Sequence, residues 1–297
     1  MTFTPEFYEM GNFVNKDFHR PQFVVDKWIP YGGEPCIFFG DPGHGKSFLC
    51  NTLIKAVADG EPMLHQFKTM QGRIVYCSFD MPLQMVQDRM KRLYTTIECP
   101  ENVGVVVCDS RINIMKTKPE DEWMQETMKQ EPLIVILDTL RKIHYMDENE
   151  QKTVTQIYGK LGELFGAHTT PLVIAHQRKF SHIDTQKRAD QRVSGHYSWV
   201  SDSDFGVQVD KDERHNPTKV TLTFARVRHT KKLDPIDTQF DQDTSMLTIL
   251  VTPEMRAREL AMEHPTMPES DIAEILQDEG LCERAHAYRM AKKVLKK

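Results

Sequence analysis

Eight consecutive residues, Gly40-Asp41-Pro42-Gly43-His44-Gly45-Lys46-Ser47, constrain this chain more than any other stretch. They spell G-x-x-x-x-G-K-[ST], the pattern of a phosphate-binding loop. Glycines permit a backbone path that turns successive N–H groups toward one point, forming an anion cradle. A helix starting near Lys46 adds the positive end of its dipole. Lys46 suits the β- and γ-phosphates of a nucleotide, and the Ser47 hydroxyl suits Mg²⁺. The flanks agree with this reading. Residues 35–39 are a short apolar run that reads as a buried strand, and residues 48–57 continue at helical spacing to a stop at Gly60. The expected ATP-binding segment therefore runs from Gly40 through Phe48.

The length of 297 residues suits one large α/β domain with a small appendage. With 39% hydrophobic and 27% charged residues, a soluble globular protein is expected. A net charge of −5 does not advertise a nucleic-acid binder, although a local basic lining is compatible with it. No segment approaches the length of a membrane span, and the first residues have no signal-peptide core. The six cysteines are scattered without a C-x-x-C pair, which argues against a zinc site and for a reducing cytoplasm.

Apolar runs at 36–39, 74–78, 103–108, 133–137 and 172–175 are separated by helix-length segments. This predicts a mostly parallel central sheet covered on both faces. Later runs at 204–209, 220–225 and 246–251 lie closer together and read as antiparallel strands added at an edge. Three regions follow. Residues 1–29 form an aromatic-rich arm, packed on its own domain or on a neighbouring subunit. Residues 30–251 form the main domain. Residues 252–297 hold three short helical stretches with a basic end, either a helix-turn-helix-like DNA- or protein-binding unit or a helical lid or solvated tail.

A phosphate loop alone indicates nucleotide binding, so further chemistry is sought at strand ends. The run 133–137 ends in Asp138, the second signature of such sites, expected to hold Mg²⁺ with Ser47. The run 74–79 ends in Asp80, a general base for the attacking water or a cap for a helix near Pro82. His176 and Gln177 end another strand, and Gln177 is the preferred γ-phosphate sensor. Arg226 and Arg228 alternate onto one face of a strand, as arginine fingers reaching a neighbour's nucleotide or as surface ion pairs.

With these parts in order, residues 20 to 250 resemble the RecA-like P-loop NTPase core. Within it the likeness is to the RepA-type hexameric replicative helicases, with DnaB-type helicases as wider kin. The segments that carry it are 23–33, 40–48, 78–81, 192–195 and 201–205. The wider family usually has Glu where this chain has Asp80. The resemblance implies an ATPase, a homo-oligomer (most simply a hexamer), and single-stranded DNA passing a loop that here carries Arg178, Lys179, Lys187, Arg188 and Arg192. It also implies that Arg226 and Arg228 act in trans. The alternative is a non-translocating ATPase switch that binds DNA or protein. A small-molecule kinase would share the phosphate loop but not the sensor segment or the paired arginines.

Overall fold

The computed structural model describes residues 7–17, 21–94, 100–108, 110–178, 189–213 and 215–295. A short helix, α1 (Met10–Asn15), precedes an antiparallel ribbon of β1 (Phe23–Val25) and β2 (Ile29–Pro30). Strands and helices then alternate: β3 (Cys36–Gly40), α2 (Lys46–Asp59), β4 (Ile74–Ser78), α3 (Leu83–Leu93), β5 (Val103–Val107), α4 (Glu122–Lys129), β6 (Ile134–Asp138), α5 (Gln151–Phe165) and β7 (Thr170–His176). After α6 (Ser198–Ser201) come β8 (Phe205–Lys211), β9 (Lys219–Val227), β10 (Ile236–Asp241) and β11 (Met246–Ile249). Helices α7 (Pro253–Glu263), α8 (Glu269–Asp278) and α9 (Arg284–Leu295) follow.

One nine-stranded sheet has the order β11-β10-β9-β8-β3-β7-β6-β4-β5. The six strands from β8 to β5 are parallel, and β9, β10 and β11 are antiparallel. The continuous apolar runs follow from burial on both faces. In β3, Cys36 and Phe38 face α2 and α3 through Leu49, Leu53, Val86 and Leu93. Ile37 and Phe39 face the layer that contributes Met124, Ile157, Leu161 and Trp199. The chain leaves β3, crosses to β4 and returns through β6 and β7 to β3's side. The carboxyl end of β3 is therefore a topological switch point, where such sheets place ligands.

Two expectations are corrected here. The segment expected as the first antiparallel edge strand is β8, which lies parallel to β3 inside the sheet. The strand β10, Ile-Asp-Thr-Gln-Phe-Asp, is absent from the sequence reading, because its two apolar residues are too few to register as a periodic run. Residues 23–29, placed in the arm by sequence, also contribute to the core. Val24, Val25, Trp28 and Ile29 are buried, and Trp28 sits with its ring centroid 5.0 Å from those of both Phe67 and Phe224. Phe7 and Phe13 stay exposed, whereas Phe3 and Phe18 lie outside the described residues. Helices α7, α8 and α9 close on an apolar cluster of their own that includes Leu260, Ile272 and Leu276. Cys36, Cys50 and Cys77 are buried free thiols. No helix among the described residues is long and apolar enough to cross a membrane.

Candidate active site

The phosphate loop leaves the sheet at Gly40 and re-enters regular structure at Lys46. Gly40 is obligatory for packing, since a Cβ there would lie 2.2 Å from the Val209 carbonyl oxygen of β8. Gly45 is obligatory twice over: its φ is +100°, and a Cβ would meet the Phe240 ring at 2.7 Å. No side chain caps α2, so its first N–H groups are left for an anion. Lys46 is buried, and its Nζ donates to the carbonyls of Gly40 (2.9 Å) and Asp41 (2.8 Å). Burial pushes its pKa down, against the opposing pull of Asp138 and Asp41. His44 braces the loop from behind, its Nδ1 accepting from the Lys211 N–H at 3.2 Å. Phe48 meets Phe240 edge to face at 4.8 Å, tying the first turn of α2 to β10.

Asp138 is the last residue of β6 and is buried. Burial raises its pKa, while the Tyr76 hydroxyl, Arg89 and Lys46 hold it down. Tyr76 donates to Asp138 Oδ2 at 2.6 Å, and Arg89 Nη1 donates to the Tyr76 oxygen at 3.1 Å. Asp80 lies beyond β4 and is exposed. Helix α3, which follows, is entered through Pro82 and carries no side-chain cap, so Asp80 is not serving as one. Asp80 forms an ion pair with Lys142 Nζ at 3.0 Å. Lys46, Ser47, Asp80, Asp138, Arg89 and His176 share one cavity of about 740 Å³. That is within the usual size range of a ligand pocket.

The structure separates the two candidate sensors. His176 lines the cavity, and burial together with Lys46 lowers its pKa. Gln177 is buried beside it and turned to the loop: its Nε2 donates to Asp41 Oδ2 at 2.7 Å, and its Oε1 accepts from Gln208 at 3.1 Å. Gln177 is thus bonded to the phosphate loop, whereas His176 lines the cavity. Strand alternation explains the split, since neighbouring residues at a strand end point to opposite faces.

Arg226 and Arg228 lie at the other end of the sheet. Arg226 is opposite Gly206, beside the start of β3, whereas the phosphate loop leaves β3's far end. Arg226 Nε donates to the Ser203 carbonyl at 3.4 Å, and Arg228 pairs with Asp204 at 2.8 Å. Neither lines the cavity of its own chain.

A family model described as an AAA domain matches residues 5–181. The chain belongs to the AAA domain family. The fold is similar to the ATPase domain of G40P, with a TM-score of 0.53 at 12% identity over 73% of this chain and 85% of that one. It is also similar to a KaiC-like protein from Pyrococcus horikoshii OT3, with a TM-score of 0.52 at 12% identity over 78% and 96%. The flagellar accessory protein FlaH of Methanocaldococcus jannaschii gives 0.51 at 9% identity over 75% and 91%. Loop, sheet order and family together give this AAA domain a P-loop fold of the RecA-like kind.

The residues of this AAA domain fit a nucleotide with Mg²⁺. The uncapped start of α2 leaves its first N–H groups for an anion, next to the buried Lys46. Among the described residues no cluster of three His, Cys, Asp or Glu side chains could hold a metal by itself. Ser47 and Asp138 are a sparse hard-oxygen set, suited to an ion that keeps waters and phosphate oxygens as its other ligands. Tyr76, Arg89, Lys142 and Phe240 belong to the site without belonging to any motif in the sequence. A signal for two of them was there: Tyr76 shares a strand face with Ser78, and Met85, Arg89 and Arg92 share a helix face. Of the basic residues expected to meet DNA, Lys179, Lys187 and Arg188 lie outside the described residues, and Arg178 donates to the Gly195 carbonyl at 2.6 Å.

Proposed function

We propose that this chain is the ATP-hydrolysing subunit of a ring-shaped DNA motor, a replicative helicase of the RepA type acting on single-stranded DNA as a hexamer. The observation that carries the reading is geometric. The cavity gathers loop, Lys46, Ser47, Asp80 and Asp138, but the paired arginines stand at the opposite end of the sheet. In a ring, Arg226 and Arg228 of one subunit serve a neighbour's cavity rather than their own.

In this reading the loop N–H groups and Lys46 bind the β- and γ-phosphates, and Ser47 and Asp138 hold Mg²⁺. The ion supplies charge neutralisation on the phosphate oxygens when bound. Asp80 orients water and accepts its proton as the γ-phosphorus–oxygen bond breaks. Lys142 steadies the Asp80 carboxylate in the orientation that this step needs. His176 reads the γ-phosphate from the third side. The neighbour's Arg226 or Arg228 stabilises the charge that develops on transfer. Arg178 and Arg192 contribute positive charge toward the DNA. Residues 1–22 form the arm, 23–251 the motor core and 252–297 the accessory unit.

The test is ATP turnover with and without single-stranded DNA, alongside strand displacement and a mass measurement with ATP. Stimulation by DNA with unwinding, in a hexamer, is the expected result. Turnover that ignores DNA, with no unwinding, overturns the helicase reading. The competing switch reading puts DNA binding in residues 252–297. It is disfavoured by the last helix, where Lys293 is engaged internally with Glu254 at 2.6 Å.

A further inference from the structure

The relay from Arg89 through Tyr76 to Asp138 belongs to no part of the chemistry above. Tyr76 is fully buried in β4, and Asp138 ends the adjacent strand β6, two residues along in register. The direction of the relay is fixed by the donor inventory. A guanidinium can only donate, so the Tyr76 oxygen accepts from Arg89 at 3.1 Å. The phenolic hydrogen must then point elsewhere, and Asp138 Oδ2 receives it at 2.6 Å. Arg89 is itself anchored on α3, where Nη2 also lies 3.1 Å from Met81 Sδ.

We infer that Tyr76 and Arg89 are positioning residues for Mg²⁺. Tyr76 occupies one oxygen of Asp138 and locks the carboxylate plane, which leaves Oδ1 to serve the metal. Arg89 orients the phenol and adds positive charge behind it. A carboxylate held in this way presents one defined lone-pair direction, whereas a free one would sample several rotations about its last bond. The arrangement matches the way outer partners orient ligating side chains, with losses of about 10- to 100-fold in metal affinity or activity when they are removed. It also links α3 to the metal site. The same helix follows directly on Asp80 and Met81, so a shift of α3 moves both the candidate base and the brace of the metal-binding carboxylate.

This inference rests on the reading that Ser47 and Asp138 hold the metal. The experiment keeps the two apart by measuring binding of a fluorescent ATP analogue as Mg²⁺ is titrated, together with binding in EDTA. For Tyr76→Phe we expect the Mg²⁺ midpoint to rise about 10-fold while binding in EDTA stays unchanged. Arg89→Met is expected to move the midpoint the same way by a smaller factor. Asp138→Asn should raise it further than either. A Tyr76→Phe midpoint that coincides with the parent's, in a protein whose Asp138→Asn variant shifts, overturns the inference and spares the site. If Asp138→Asn does not shift either, the metal-site reading itself fails, and the inference with it. Should Tyr76→Phe not fold, by circular dichroism, the Arg89→Met midpoint decides alone.

Discussion

At the residue scale the site separates binding from chemistry. Lys46 is bonded to the loop's own carbonyls and holds the loop's shape as well as its charge. Lys46→Ala should abolish detectable nucleotide binding by calorimetry; normal binding and turnover would remove the whole site assignment. Asp80 is different, because its carboxylate touches Lys142 and not the loop. Asp80→Asn should keep nucleotide affinity within about twofold and lower turnover about 10²- to 10⁴-fold, the range of a general base. An undiminished rate in steady-state assays would assign the base elsewhere. A buried imidazole gives a pH prediction. His144 is 2% exposed, stacks on Trp199, and burial lowers its pKa. The unfolded chain protonates such a group near pH ~6.5. Above that value both states are neutral and nothing changes. As pH falls through it, the unfolded chain gains a proton that the native chain resists, so stability declines. Urea unfolding at pH 7.5 and 5.5 should show the decline, and His144→Gln should reduce it, with half-buried His176 supplying part of the rest.

At the scale of elements, glycines distinguish tight from open backbone. Gly40→Ala drives a methyl group into the Val209 carbonyl, where nothing flexible can yield. It should cost about 1–3 kcal/mol by overpacking. Gly159 lies exposed inside α5, and a methyl group added there would meet nothing within 4 Å. Gly159→Ala should therefore stabilise by about 0.5–1 kcal/mol. Thermal or urea unfolding of the pair checks both signs, and a reversed order would contradict the loop packing. Much of this level was legible in the sequence. Continuous apolar runs marked the parallel strands because burial on both faces demands them. The motif marked the loop because its backbone demands glycine. What stayed hidden was whatever depends on pairing between distant segments. β8 could not be read as parallel, since its own residues look the same in either direction. Tyr76 could not be read as the partner of Asp138, since they lie 62 positions apart. His176 and Gln177 are neighbours in sequence, and only the bonds of Gln177 to Asp41 and Gln208 tell them apart.

At the scale of the whole molecule, the arginines make the strongest claim about assembly. Subunits with Arg226→Ala and Arg228→Ala retain a complete cavity, and Asp80→Asn subunits retain both arginines. Each species should be inactive alone. Mixed in one ring, about a quarter of the interfaces should pair an intact cavity with intact arginines, given random cyclic assembly. Recovery of turnover on mixing is the expected outcome. Stable mixed oligomers that stay silent would rule out action in trans.

The wall behind the phosphate loop comes from far along the chain. Phe240 fills the space beside Gly45, Asn51 donates to the Ser245 carbonyl at 2.9 Å, and the Leu247 N–H donates to Thr52 at 2.9 Å. A nascent chain therefore carries its nucleotide motif long before it can use it. Until β10 and β11 have left the ribosome, the loop lacks its Phe240 wall and α2 lacks its strand partner. A truncation ahead of β10 should leave a correctly spelled motif with a weakened hold on nucleotide.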